Sequence, residues 1–248
     1  MWWLQPVSQA LGLMLLGAYA TWAALQGEHY LLTVGGRDYL SPFYSPLLKP
    51  SWWPFSPAIL VLGAPMGFRT TCYYYRKAYY RAFFADPPAC AVGEPRGAGY
   101  TGESKFPFIL QNLHRYFLYL AMPILVFLWW DVVRAFTIDG AFGIGGGSLV
   151  ILASTTFLTL YTFSCHSLRH LIGGRLDCFS CVVAGESQRK LWSGASWLNG
   201  HHMAWAWWSL FAVCFADFYV RMCSMGLFND PILMTFKQLF STAGGVGL

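Results

Sequence analysis

Residues 116–130 read Tyr-Phe-Leu-Tyr-Leu-Ala-Met-Pro-Ile-Leu-Val-Phe-Leu-Trp-Trp, an uninterrupted run without a charge. Runs of this kind separate a membrane protein from a soluble protein with a large core, because a bilayer demands about 20 apolar residues for each helical crossing. Composition points the same way. The 248 residues are 56% hydrophobic and 19% aromatic but only 11% charged, about half the charge of an ordinary soluble domain. The expectation is an all-α, polytopic membrane protein.

Working outward from that run, the sequence predicts five transmembrane helices within a single membrane domain, 1–248. The helices are placed at about 8–25, 57–84, 108–136, 144–172 and 197–222. Pro57 suits the start of the second helix, Pro123 is expected to kink the third, and Gly173-Gly174 suits the end of the fourth. Met1-Trp2-Trp3 lacks the basic start of a cleaved signal peptide, so the first helix is expected to be retained.

Five crossings put the chain ends on opposite faces. The face holding the N-terminus and the 85–107 and 173–196 connections, with 69–115 and 166–202 assigned to it, carries 11 of the 16 Lys and Arg residues against 5 of the 11 Asp and Glu. The positive-inside rule makes it cytoplasmic, in a multi-pass protein of the cell membrane. Membrane lipid is an expected partner; nucleic acid is not.

The same face gathers the ligating side chains. Five of six histidines (His114, His166, His170, His201, His202) and five of seven cysteines (Cys72, Cys90, Cys165, Cys178, Cys181) fall on it. Ionisable groups are costly in membrane helices and tend to be kept for ligation or proton transfer. His166 and His170 stand four apart, so a helix projects both from one face. Cys178 and Cys181 form a Cys-x-x-Cys pair, and Gly173-Gly174 lets the chain fold back between the two. Cytoplasmic thiols stay reduced, so ligation is expected of them rather than a disulfide. Two His and two Cys suit either a structural zinc or a Rieske-type [2Fe–2S] cluster. Cys72, Cys90, Cys165 and His114 compete with these ligands. Tyr75 and Arg76 on the second helix, His114 on the third and Trp205 on the fifth are candidate contacts for a flat, lipid-soluble ring such as a quinone.

The segments TCYYYRKAYYRAFF (71–84), PPACAVGEP (87–95), QNLHRYFLYLA (111–121), SCHSLRHLIGGRLDCFSC (164–181) and HHMAWAWWSLFAVCFADFYVRM (201–222) resemble the membrane subunit of type F respiratory complex II. The likeness covers about residues 68–226. It implies a membrane-anchor subunit of succinate dehydrogenase, held to separate flavoprotein and iron–sulfur subunits and passing electrons to quinone. It further implies a Rieske-type [2Fe–2S] cluster in place of haem, with His166 and His170 matching the family's CHSLRH segment and Cys178 and Cys181 its DCFSC segment. This chain has no dehydrogenase motif of its own. Two alternatives stay open: a haem b held by His114 with His166 or His170, and a non-redox membrane protein with a structural zinc.

Overall fold

The computed structural model describes residues 1–84, 105–106, 108–138 and 141–235. In chain order the elements are helix α1 (Leu4–Gln26), strands β1 (Leu31–Val34) and β2 (Arg37–Leu40), and helices α2 (Pro57–Thr70), α3 (Tyr73–Phe84) and α4 (His114–Ala135). They continue with β3 (Thr137–Ile138), β4 (Ala141–Gly145), α5 (Gly146–Phe163), α6 (His166–Arg169), α7 (Gly185–Gly200), α8 (His202–Ser224) and β5 (Ile232–Thr235). The fold is mostly helical, as expected. Among the described residues, four helical segments are long and apolar enough to cross a membrane: Leu4–Gln26, Ile109–Ala135, Gly146–Phe163 and His202–Ser224.

Two expected helices are broken. The segment 57–84 is two helices, α2 and α3, with Thr71 and Cys72 between them. Both threonines turn their hydroxyls back on the helix, Thr70 to the Met66 carbonyl (2.9 Å) and Thr71 to that of Gly67 (2.7 Å). Such back-bonding bends helices. The Cys72 amide then tightens to the Arg69 carbonyl at 3.2 Å, and the Cys72 carbonyl starts α3 by accepting from Arg76. The segment 144–172 breaks the same way. Ser164 donates to the Tyr161 carbonyl (2.8 Å), the Cys165 amide tightens to Thr162 (3.2 Å), and the Cys165 carbonyl accepts from Arg169. Short α6 follows, then a wide π-helical turn over His170–Gly174. With only 14 residues, α2 is about 21 Å long, short of the roughly 30 Å hydrocarbon core.

The chain divides into two compact units. The unit made of 22–62, 123–160 and 205–248 holds the strands. Gly35 and Gly36, with φ of 56° and 69°, make the two-residue turn of the β1–β2 hairpin, a turn that needs left-handed backbone at both positions. The hairpin was legible as the β-prone run Tyr30–Val34 followed by Gly-Gly, a signal the all-α reading passed over. A second sheet runs β3-β4-β5, antiparallel throughout. Leu32, Tyr39, Val132, Ala135, Ile151, Val220 and Cys223 form this unit's core.

Among the described residues, the buried charges of this unit each have a partner. Asp230 takes an ion pair from Arg37 (3.3 Å), hydroxyls from Tyr39 (2.9 Å) and Tyr219 (2.8 Å), and the Gly147 amide (2.7 Å). Asp217 binds Ser41 and Arg221, whose guanidinium also reaches the carbonyls of Glu28 and Ala23. Asp131 accepts from Ser45. Unpaired, such groups would cost several kcal/mol each in an apolar setting. Together they tie the 28–45 segment to α4, α5 and α8.

Candidate functional site

The other unit comprises 1–21, 63–122 and 161–204, and both helix breaks fall in it. Each break presents a cysteine preceded by a hydroxyl residue and, three positions before that hydroxyl, an aromatic ring: Phe68-x-x-Thr71-Cys72 and Tyr161-x-x-Ser164-Cys165. Two imidazoles stand at helix starts, His114 opening α4 and His202 opening α8.

These eight residues interlock. Thr71 Oγ1 lies 3.0 Å from His114 Nδ1, and Phe68 stacks on the same ring at 4.6 Å with the planes 5° apart. Ser164 Oγ lies 2.6 Å from His202 Nδ1, and Tyr161 stacks on that ring at 5.1 Å and 19°. The thiols cross over. Cys165 Sγ is 3.1 Å from His114 Nε2, while Cys72 Sγ is 3.4 Å from His202 Nε2. Cys72, His114 and Cys165 are buried and His202 is half-buried. The two pairs are linked through their covering rings, Phe68 meeting Tyr161 edge-on at 5.5 Å.

Polar neighbours surround the group. Arg69 donates to the Tyr75 hydroxyl at 2.7 Å and lies over the Tyr161 ring at 4.7 Å; Tyr75 also meets Tyr161 edge-on at 6.1 Å. Asn199 of α7 donates to the Ser164 carbonyl at 2.8 Å, fixing the second break. The result is two thiols and two imidazoles, each imidazole clamped by a hydroxyl and an aromatic face, beside a tyrosine–arginine pair.

The sequence and the coordinates together identify the family. Residues 4–226 match the family described as actinobacterial succinate dehydrogenase subunit SdhC. The chain belongs to that family. It is therefore a membrane subunit of a succinate dehydrogenase complex, an oxidoreductase that includes partner catalytic subunits. Among solved structures, a chain of the Mycobacterium smegmatis Sdh1 complex in the apo form is similar, with 39% identity and a TM-score of 0.83 over 94% of this chain and 92% of that one. No curated protein matches.

In this SdhC-family chain the expected ligands are placed as follows. Cys178 and Cys181 are joined to each other in a disulfide, so neither sulfur is a free thiolate there. His166 is exposed at the start of α6. His170 opens the π turn, and its buried Nδ1 has no hydrogen-bond partner. Among the described residues, no three His, Cys, Asp or Glu side chains converge on a point where one metal ion would sit. The competing ligands Cys72, Cys165 and His114 are the ones brought into the buried group; Cys90 lies outside the described residues.

Of the quinone candidates, Tyr75 and His114 are in this group. Arg76 lies over the Tyr73 ring at 5.4 Å, and Trp205 belongs to the other compact unit. His202, Thr71, Ser164 and Arg69 were missed as site residues. The signal that could have found Thr71, Ser164 and Arg69 is the twice-written aromatic-x-x-hydroxyl-Cys pattern at 68–72 and 161–165, which does not include His202.

Proposed function

We propose that this subunit passes electrons from the succinate-oxidising partner subunits to membrane quinone, and that Cys72, His114, Cys165 and His202 hold a Rieske-type [2Fe–2S] cluster. The carrying observation is the pair of thiol–imidazole contacts in one buried group. Two thiols and two imidazoles are the donor set such a cluster needs. A structural zinc needs four donors around one atom, and the absence of any three-donor convergence among the described residues disfavours it. A haem between His114 and His166 or His170 is disfavoured because His114 Nε2 is turned to Cys165.

The bound cluster would supply one-electron transfer at a potential raised by imidazole ligation. The chain's own residues do the rest. Phe68 and Tyr161 cover the imidazole faces and keep water from them. Tyr75, polarised by Arg69, is the donor best placed to hydrogen-bond a quinone carbonyl, and Arg76 remains a further proposed contact; His114, with Nδ1 on Thr71 and Nε2 toward Cys165, is assigned to the cluster instead. The partner subunits are the flavoprotein and the iron–sulfur protein. The chain crosses the cell membrane five times with its N-terminus in the cytoplasm, α2 and α3 together supplying the second crossing beside the four long helices.

The test compares two groups of variants in the whole purified complex. Cys72→Ser, Cys165→Ser, His114→Ala and His202→Ala should each remove the low-temperature EPR signal of the reduced cluster and abolish quinone reduction. Succinate oxidation by soluble artificial acceptors should persist. Cys178→Ser with Cys181→Ser should keep both signal and turnover. The opposite pattern would move the cluster to the Cys-x-x-Cys pair, and zinc without iron, or a haem α-band, would replace the reading altogether.

A further inference from the structure

We infer that Thr71 and Ser164 are positioning residues that fix the tautomer of His114 and His202, placing the proton on Nδ1 and aiming the bare Nε2 lone pair at the metal site. This deepens the proposed function and rests on its choice of ligands.

The argument is a proton count. A hydroxyl has one proton to give. Thr71 gives its proton to the Gly67 carbonyl at 2.7 Å, so toward His114 Nδ1, 3.0 Å away, its oxygen can only accept. Ser164 likewise gives its proton to the Tyr161 carbonyl at 2.8 Å and can only accept from His202 Nδ1 at 2.6 Å. Both Nδ1 atoms therefore carry hydrogen. In each neutral ring Nε2 is left as an acceptor, and each Nε2 faces a thiol, Cys165 at 3.1 Å and Cys72 at 3.4 Å. The same device thus occurs twice, built from two unrelated pairs of helices in one compact unit.

The chemistry follows directly. When bound, the cluster would be held by the Cys72 and Cys165 thiolates on one iron and by Nε2 of His114 and His202 on the other, and hydrogen on each Nδ1 leaves both Nε2 lone pairs available for that role. An acceptor on the distal N–H also makes an imidazole a stronger ligand, and losing such a partner costs about 10- to 100-fold in metal affinity or activity. The hydroxyls are held by the breaks themselves, since the carbonyls they bond belong to the last turns of α2 and α5. Orientation and donor supply are consequently one structural feature.

The experiment uses the whole complex carrying 15N-histidine and compares Thr71→Val and Ser164→Ala with the conservative Thr71→Ser and Ser164→Thr. In complex purified from iron-starved cells, solid-state 15N spectra of the parent should show Nδ1–H signatures that disappear in His114→Asn and His202→Asn. Thr71→Val should lose the signature of His114 alone, Ser164→Ala that of His202 alone, and the conservative variants should retain both. In iron-replete complex, Thr71→Val and Ser164→Ala should raise the midpoint potential of the cluster's EPR signal and release iron about 10-fold faster or more. Unchanged Nδ1–H signatures in both hydroxyl-less variants would overturn the inference. Because that spectrum needs no metal, a parent complex without a cluster signal would strike the proposed function while leaving the tautomer assignment to be decided by its own arm.

Discussion

Replacing Gly67 by alanine should damage electron delivery to quinone far more than it damages the fold. A Cβ at Gly67 would stand 2.2 Å from Phe117 Cε1, 2.4 Å from Cζ and 2.5 Å from Cδ1. Carbon atoms settle about 3.5–4.0 Å apart, so the ring must withdraw by about 1.3 Å. Phe117 is one turn beyond His114 on α4, and the Gly67 carbonyl is the group that takes the Thr71 proton. The displacement therefore acts on both sides of the Thr71–His114 contact. Overpacking costs about 1–3 kcal/mol, and alanine's better helix propensity returns about 1 kcal/mol, leaving roughly 0–2 kcal/mol against stability. A misplacement of about 1 Å at a reacting group can cost 10²-fold. Gly63, one turn earlier in α2, has nothing within 4 Å of its would-be Cβ and is the matched control. The assay is the ratio of quinone reduction to succinate oxidation by a soluble acceptor, with thermal denaturation of the complex measured in parallel. Gly67→Ala should lower that ratio on the order of 100-fold while Gly63→Ala leaves it unchanged. Equal ratios in the two variants would refute the reasoning.

Other consequences follow in the strand-bearing unit. Asp230→Asn removes the charge that Arg37, Tyr39, Tyr219 and the Gly147 amide share and strands a buried guanidinium, so unfolding free energy should fall by about 3–5 kcal/mol; denaturant titration in detergent reads it. Arg221→Met alone should cost a similar amount by removing the buried ion pair of Asp217, while adding Asp217→Leu should recover part of the loss, a positive coupling that a double-mutant cycle measures. At the hairpin turn, Gly36→Val forces a β-branched residue to a φ of 69° and should destabilise by about 1–2 kcal/mol; Gly36→Asn should cost less, as followed by melting temperature.

Much of the fold was open to a reading of composition and apolar runs. The long helices around 8–25, 116–130, 146–163 and 202–222 carry enough consecutive apolar residues to be recognised by length alone. What such a reading misses is where a helix stops without glycine or proline. Thr71-Cys72 and Ser164-Cys165 interrupt α2 and α5 through hydroxyl bonds to the preceding turn, and neither residue type is a helix breaker by propensity. Helices inferred from apolar runs therefore passed straight through both sites. The Gly-Gly hairpin at 35–36 escaped for another reason, since the compositional signal for a membrane protein outweighed a short local one.

The proposed donor set shows the same limit from the chemical side. Sequence spacing displays ligands that are close along the chain, which is why His-x-x-x-His and Cys-x-x-Cys drew attention at 166–181. Cys72, His114, Cys165 and His202 come from four separate stretches and share no spacing at all. Their common property is that each lies at a helix terminus, where backbone groups lose their helical partners and must bond to something else. In an apolar environment that demand is severe, and at both breaks a hydroxyl meets it by turning back on the last turn. The same oxygen then has a lone pair left for an imidazole. Polar chemistry in this unit is thus concentrated where the helices already have to be interrupted, so the duplicated hydroxyl-cysteine step following an aromatic ring is the mark by which such a site can be sought in a sequence of this composition.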